Sequence, residues 1–153
     1  MKKHLILLTS LNILNLSIFA QCTDLFISEY VEGYSNNKAI ELYNPTSEAI
    51  DLSNYSLSRW NNGSTTPLNT VLSGSIGPNE AFVVGMDKRD PNGEGYELPL
   101  WDGWSFTIDS VTGFIIDSLY NEENDLMSKV DLFINPNYED GTMYFNGNDA
   151  ITL

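Results

Sequence analysis

The sequence predicts an all-β fold, a sandwich of antiparallel strands, and three observations support this class. Short runs of alternating apolar and polar residues follow one another from residue 24 to residue 85. Turn-forming residues, chiefly Gly, Pro, Asn and Ser, separate these runs at short intervals. No segment in this region keeps the period of a long helix, about 3.6 residues. Short strands with frequent turns are typical of a sandwich rather than of an α/β fold.

The first two strands are predicted from their alternation. Apolar residues occupy the inward positions of the first strand, which are Leu25, Ile27 and Val31. The second strand covers residues 38–44. Its Ile40 and Leu42 share one face, because side chains alternate along a strand. Glu41 and Tyr43 lie on the other face, so we expect one side of this strand to be buried and the other solvated.

Four more short strands are predicted before residue 86, over residues 50–52, 55–60, 70–74 and 81–85. The turns between strands are marked by residues that stabilise chain reversals, at 44–47, 53–54, 61–64 and 77–80. Asn62-Gly63 is a strong signal of this kind, since a type I′ turn needs positive φ at both central positions. The run 81–85 is apolar, is bounded by Gly85 and is too short for a helix, which predicts a central strand buried on both faces.

Residues 86–141 differ from the rest, because they mix Pro, Gly, acids and large aromatics without clear periodicity. We predict an irregular insertion, in which residues 111–119 form a strand or hairpin and residues 122–133 form one or two helical turns. Beyond it, residues 144–145 and 150–153 flank the turn signal 146–149 and predict a hairpin. Because the sequence stops inside that strand, we expect the sandwich to lack its final strand or strands.

The first twenty residues have the order of a secretory signal peptide. Lys2 and Lys3 precede an apolar run, which ends at the small residue Ala20. The domain is therefore expected to cover residues 21–153, in a secreted or cell-surface protein. Cys22 suggests lipid attachment as an alternative. A lipidated cysteine is normally preceded by a small residue, however, and Gln21 occupies that position here. No later segment is apolar and long enough to be a membrane span.

The charge of the chain restricts its partners. Removal of the leader takes away two basic residues and no acid, so the formal charge changes from −14 to −16, with 21 acidic residues against 5 basic ones. Nucleic acid is not expected as a direct ligand, since phosphates need clustered Lys and Arg. An anionic membrane surface is disfavoured for the same reason. A divalent cation or a basic partner remains compatible with this charge.

Enzymatic activity is not expected from these residues. The only histidine, His4, lies in the predicted leader, so the mature chain has no imidazole for a catalytic triad or a zinc site. No glycine-rich phosphate-binding motif is present. A pair of carboxyl groups could still hydrolyse glycosides, but abundant acids are more often a solvated surface.

A calcium site is the one metal site that the sequence suggests. Asp90, Asn92 and Glu94 supply oxygen ligands at alternate positions, as in the first half of an EF-hand loop. Trp101 occupies the twelfth position, where that loop needs a bidentate glutamate, so an EF-hand is excluded. A looser site would use the same three residues with Glu97. The alternative is an ordinary acidic turn.

Trp101 and Trp104, with Tyr96 and Phe106 nearby, could form an aromatic platform for a sugar or a peptide. The alternative is that these aromatics anchor the insertion on the sandwich.

Five motifs, in this order, resemble the lamin tail domain, in the version found in secreted proteins of Bacteroidetes: DLFISEYVEG, NKAIELYNPT, AIDLSNYSL, LSGSIGPNEAFVV and FNGNDAITL. The resemblance implies an immunoglobulin-like β-sandwich that serves as a non-catalytic module, often beside a secreted hydrolase or nuclease. Asn54 and Tyr55 replace the glycine and tryptophan of the family's Leu-Ser-Gly-Trp motif. Residues 105–124 look like an extra insertion relative to the family's pattern.

Two functional hypotheses follow from the residues and the resemblance. The first is a binding or adhesion module of a larger extracellular protein, whose protein or glycan partner the sequence does not identify. The second is a carbohydrate-binding module that uses Trp101 and Trp104. A further possibility is an accessory domain of a hydrolase or nuclease whose catalytic part lies beyond Leu153.

Overall fold

The structure is a computed structural model, and it describes residues 22–34, 36–134 and 141–153. Regular structure in these residues consists of β-strands and three short 3₁₀ helices. The strands are β1 (Phe26–Glu32), β2 (Lys38–Tyr43), β3 (Ile50–Asp51), β4 (Ser56–Trp60), β5 (Leu68–Val71), β6 (Ser75–Ile76), β7 (Ala81–Met86), β8 (Asp102–Ile108), β9 (Ile115–Asp125), β10 (Leu132–Ile134) and β11 (Ala150–Thr152). The predicted all-β class is therefore confirmed.

One sheet has the strand order β1-β2-β7-β10. The first two pairings are antiparallel, and β7 is a central strand as predicted. The third pairing is parallel, with Leu132 opposite Val84 and Ile134 opposite Met86. The prediction of a purely antiparallel sandwich is wrong at this pair, and so is the assignment of residues 132–134 to the insertion. A long connection after β7 permits the parallel return, which a tight hairpin does not.

The remaining strands of the sandwich form a sheet of order β11-β4-β5 and a short pair, β3 with β6. β6 was not predicted, and β5 begins at Leu68 rather than at residue 70. Trp60 in β4 lies opposite Ala150 of β11, and its indole Nε1 donates a hydrogen bond of 3.1 Å to Thr152 Oγ1. Segments far apart in the sequence thus complete this sheet.

The predicted hairpin of residues 144–153 is wrong. Tyr144 and Phe145 are not part of a strand, and β11 pairs with β4 instead. The Asp149 carboxylate accepts hydrogen bonds from the backbone N–H groups of Asn62, at 2.9 Å, and Asn146, at 3.2 Å. Because these bonds fix the turn against the loop after β4, the chain enters β11 beside β4, and Phe145 turns into the core.

The core consists of apolar side chains from both sheets. Its fully buried members include Ile40, Leu42, Leu57, Leu72, Val84 and Phe145. The buried face predicted for β2 is confirmed at Ile40 and Leu42. The expectation that its other face is solvated is wrong, because Ala39 is buried and Glu41 and Tyr43 are partly buried in a strand that pairs on both edges. Between β4 and β5, Asn62 and Gly63 have φ values of 46° and 78°, which confirms the predicted left-handed turn.

The turn after β2 is organised by Asn44, a fully buried side chain. Its amide nitrogen donates to the backbone oxygens of Glu48 and Gly77, at 2.8 and 2.9 Å. Its amide oxygen accepts from the backbone N–H of Thr46, at 2.9 Å. This Asx-type arrangement confirms the turn predicted at residues 44–47 and joins it to the end of β6.

Inside the predicted insertion, β8 and β9 form an antiparallel hairpin. Of the residues predicted as a strand or hairpin, 111–114 belong to its turn and 115–119 to β9. The prediction of helical turns over residues 122–133 is wrong except at Met127–Lys129, a 3₁₀ helix. Residues 122–125 continue β9, although only Asp125 among them has a partner in the register, which is Asp102. The pairing is irregular between Asp102 and Trp104, opposite the residues that precede Asp125.

The predicted signal peptide, residues 1–20, lies outside the described residues. Among the helices that the structure describes, none has the length and apolar character needed to span a bilayer.

Candidate binding site

The tip of the β8–β9 hairpin is fixed by Asp109. Its carboxylate accepts hydrogen bonds from the backbone N–H groups of Val111, at 2.9 Å, and Thr112, at 2.7 Å. The hydrogen bond from the backbone N–H of Thr112 is the main cause of the lowered pKa of Asp109. Gly113 closes the turn with a φ of 74°, a conformation that suits glycine. The tip is therefore ordered by local bonds and carries a negative charge.

The base of the hairpin is fixed by Asp125. Its carboxylate accepts hydrogen bonds of 2.8 Å from the backbone N–H of Ser128 and from the hydroxyl of Tyr120. The Ser128 N–H, followed by the Tyr120 hydroxyl, lowers the pKa of Asp125. The carbonyl of Trp101 accepts a hydrogen bond of 3.0 Å from the N–H of Leu126. This bond joins the residue before β8 to the residue after β9.

Acid is expected to loosen the hairpin base through Asp125. Its folded pKa lies below the ordinary 3.8, so its contribution to stability is present above that value and is lost as the pH falls through the folded pKa. We expect the near-UV circular dichroism of the aromatic pair Trp104–Tyr120 to change as the pH falls below about 4. The variant Asp125→Asn keeps the shape of the side chain without its charge, and its signal should change less. An identical acid transition in both proteins would contradict this role.

Trp101 leads into β8 with an unusual backbone conformation, a φ of 52°. Its ring packs on the backbone of Gly33. A Cβ atom added at Gly33 would lie 2.2 Å from the Cη2 atom of Trp101 and 2.7 Å from the carbonyl oxygen of Asn37. Glycine is therefore required at residue 33 for the close approach of the indole.

Substitution Gly33→Ala is expected to displace the Trp101 ring and to destabilise the domain by about 1–3 kcal/mol, the usual cost of overpacking. The matched control is Gly147→Ala, where an added Cβ meets no atom within 4 Å. Urea unfolding and tryptophan emission would measure the two effects. Equal stability of both variants would show that the contact between residues 33 and 101 is not tight in solution.

A buried polar cluster holds the segment before Trp101. The amine of Lys88, which is 1% exposed, donates hydrogen bonds to Asn37 Oδ1, at 2.9 Å, and to the carbonyl of Pro99, at 3.1 Å. Asn37 Nδ2 donates to the same carbonyl at 3.0 Å. Burial lowers the pKa of Lys88, and the charge of Glu97 opposes this shift. Lys88 and Asn37 were not predicted from the sequence, because neither belongs to a recognisable motif.

A cleft of about 420 Å³ lies at the hairpin base. Both predicted tryptophans line it, together with polar side chains. Its lining includes Trp101, Trp104, Ser105, Glu123, Asn124 and Lys129. Trp104 is 49% exposed, and its ring lies 5.3 Å from that of Tyr120. The structure thus brings Trp101 and Trp104 to one site, whereas Tyr96, also named from the sequence, is not among the lining residues.

One face of the hairpin is apolar and exposed. Cross-strand partners share a face, and Trp104 lies opposite Tyr120 and Ile108 opposite Ile115. We call this set the apolar face: Trp104, Phe106, Ile108, Ile115 and Tyr120. Phe106 is 54% and Ile108 60% exposed. The opposite face carries Ser105 and Thr107 on β8, and their partners on β9 are Leu119, which is 67% exposed, and Asp117. Alternation in residues 104–108 could have predicted this face, but the weak periodicity of the surrounding residues obscured it.

The predicted calcium ligands lie in an exposed turn. The Asp90 carboxylate accepts a hydrogen bond of 2.8 Å from the backbone N–H of Asn92, and the Asp90 carbonyl accepts one of 2.9 Å from Gly93. Glu94 is exposed and Glu97 partly buried. No cluster of three or more Asp, Glu, His or Cys side chains suited to a metal occurs in residues 22–34, 36–134 and 141–153. Calcium binding by these residues stays a prediction.

The two packed sheets and the exposed hairpin define an immunoglobulin-like β-sandwich domain with a cleft beside one added hairpin. The family described as Lamin Tail Domain matches residues 19–153, and the chain belongs to this family. Its members are immunoglobulin-like domains that are non-catalytic in general. No curated protein and no solved structure gives a significant match.

Proposed function

We propose that the protein is a secreted, non-catalytic binding or adhesion module of a larger extracellular protein, and that it binds a partner protein through the β8–β9 hairpin. The observation that carries this proposal is the apolar face, whose side chains are large and exposed, with Ser118 opposite Phe106 as the polar residue between them. Apolar patches of this kind on folded domains mark interaction surfaces more often than chance.

Secretion is supported by residues 1–20, with a basic start, an apolar run and a small residue before Gln21. N-terminal sequencing of the protein from the culture medium of its host would test this. A start at Gln21 supports cleavage of the leader, whereas a lipid-modified Cys22 in the membrane fraction would replace secretion by lipid anchoring.

The role of the hairpin can be tested by retention on the surface of the host's own cells. Fluorescent protein with Phe106→Ser should be retained far less than the unmodified domain, because the substitution removes a central member of the apolar face. Val71→Ser is the matched control, since Val71 is 70% exposed on β5 and lies outside the hairpin. Equal retention of all three proteins would contradict the proposal.

Carbohydrate binding is a second candidate, and the cleft favours it specifically. Sugars stack on indole rings and hydrogen-bond to polar side chains, and Trp101 and Trp104 line the cleft beside Ser105 and Asn124. A glycan array would test this candidate. Binding that disappears in Trp101→Ala and in Trp104→Ala but persists in Trp60→Phe would support it, because Trp60 lies on β4, outside the cleft.

A role as the accessory domain of a secreted hydrolase or nuclease is compatible with both candidates. The reading frame beyond codon 153 tests it, since a nuclease or hydrolase sequence there would assign this role to the domain. An adhesion or sorting sequence alone would favour the module proposed above.

A further inference from the structure

The outer edge of β8 is open. Among the described residues β8 pairs only with β9, so its second edge has no partner strand. An open edge presents backbone N–H and C=O groups, and proteins usually protect such edges with charges or proline. Residues 104–108, Trp-Ser-Phe-Thr-Ile, are exposed and contain neither, whereas Gly103 before them is buried. β9 differs, because it carries Asp117, Glu122 and Glu123. The unprotected edge therefore belongs to β8.

The apolar face lies directly beside this edge. Side chains of neighbouring strands that share a face lie about 4.5–5.5 Å apart, so a strand added to β8 would place every second side chain against Trp104, Phe106 and Ile108. Strand addition of this kind gains affinity from backbone hydrogen bonds and specificity from alternate side chains. The side chains and the backbone of β8 thus favour the same form of occupant, an extended segment.

Negative charge lies at both ends of β8. Asp102 is its first residue and Asp109 follows its last. At the base, Asp102 pairs with Asp125 of β9, and Glu123 lines the nearby cleft. Lys129 is the one cation among the cleft residues named above. The whole chain has a formal charge of −14. An occupant with positive charges at its two ends would complement this arrangement.

We propose that β8 accepts an extended segment of a partner protein as a third strand of the hairpin sheet, and that this segment has apolar residues at alternate positions and Lys or Arg at each end. The inference rests on the proposed function and names the chemistry of the partner. A second copy of the chain is a poorer occupant, since it would bring two acidic hairpins together. An anionic lipid surface is a poorer occupant for the same reason.

The length of the segment follows from β8. A strand rises about 3.3 Å per residue, so the seven residues of β8 extend over roughly 20–24 Å. A synthetic peptide of about nine residues therefore covers the strand, with valine and threonine alternating in the middle and two lysines at each end. Three control peptides change one feature each: glutamates replace the lysines in the first, the second has the same composition without alternation, and alternate backbone amides are N-methylated in the third.

Binding of the labelled peptides to the mature domain would be measured by fluorescence anisotropy. We expect the lysine peptide to bind at least about tenfold more tightly than each control peptide. Phe106→Ser and Ile108→Ser should each weaken its binding about tenfold, and Val71→Ser should not. Hydrogen exchange should show new protection in β8 when the lysine peptide is bound, and none in β4. Far-UV circular dichroism checks that the variants remain folded.

Four results would overturn the inference. The first is no binding of the lysine peptide at millimolar concentration, and the second is equal binding of the glutamate peptide. The third is self-association in sedimentation that Phe106→Ser abolishes, which would assign the surface to a second copy. The fourth is tighter binding to phosphatidylglycerol vesicles than to the peptide. If either of the first two occurs while cell retention still requires Phe106, the proposed function stands and only the chemistry of the partner segment is wrong. The third and fourth results would also overturn the partner protein of the proposed function, because they assign the surface to a second copy of the chain or to a lipid surface.

Discussion

Replacement of Asn44 by aspartate is expected to destabilise the domain by about 3–5 kcal/mol at neutral pH, the usual cost of a buried charge without a partner. The amide nitrogen of Asn44 donates to the carbonyls of Glu48 and Gly77. A carboxylate oxygen in its place cannot donate, so it would face these carbonyl oxygens in a fully buried position. The substitution keeps the shape of the side chain and changes only its hydrogen bonding and charge.

The pH dependence of Asn44→Asp separates charge from shape. Burial should raise the folded pKa of the introduced carboxyl above its unfolded value near 4. The loss of stability therefore grows as the pH rises from about 4 toward that raised pKa, and it shrinks in acid, where the protonated group donates one hydrogen bond. Urea unfolding at pH 4 and pH 7 would measure this difference.

Asn69→Asp is the control for this experiment, because Asn69 is exposed on β5. It should change the stability by less than about 0.5 kcal/mol. A loss at residue 44 as small as that of the control would mean that the Asx-type turn does not depend on the buried amide.

Phe145→Ala is expected to lower the free energy of unfolding by about 3–5 kcal/mol, as is usual for a phenylalanine removed from a core. Phe145 is fully buried although it belongs to no strand. The centroid of its ring lies 4.6 Å from the ring centroid of Tyr30 and 5.2 Å from the Nζ atom of Lys38. Alanine would leave a cavity between these groups, because the two flanking sheets limit how far the site can collapse.

The matched control is Phe114→Ala, which makes the same change at the tip of the hairpin, where Phe114 is 73% exposed. Chemical denaturation of both variants with the same denaturant gives the comparison. We expect the control to lie within about 0.5 kcal/mol of the unmodified protein. A similar loss in both variants would indicate that the hairpin turn packs on the sandwich more closely than the structure describes.

Local patterns predicted the first part of the fold well. The alternation of β2 and the apolar run of β7 have a direct physical cause, since one is half buried and the other lies in the middle of a sheet. Asn44 and Asn62 were found from their turn chemistry, which acts over a few residues. In these places the local preference and the final structure agree.

Pairings between distant segments were not predictable in this way. β10 is too short to show a period, and its parallel register depends on the path of the whole connection after β7. Phe145 looks like a strand residue in the sequence, but contacts of Asp149 with the loop after β4 decide its position. The strand propensity of a short segment is weak compared with such contacts.

The candidate site was predictable only in part, because some of its residues are recognisable by type and others are brought together only by folding. Trp101 and Trp104 stand out by residue type, and both line the cleft. Gly33, Asn37 and Lys88 support the cleft from other parts of the chain, and only the folded structure brings them to it. The apolar face was predictable only in part. Its alternation is a local pattern that the sequence shows, but large apolar residues are usually buried, so their exposure was not expected.

The pairing of β11 with β4 has a kinetic consequence. The partners Trp60 and Ala150 are separated by most of the domain. Contacts of such high sequence separation slow folding, because the loop between them must close before their hydrogen bonds contribute. Until residues 150–152 are synthesised, β4 has one unpaired edge, whose backbone N–H and C=O groups remain open to proteases and to other extended chains for that time.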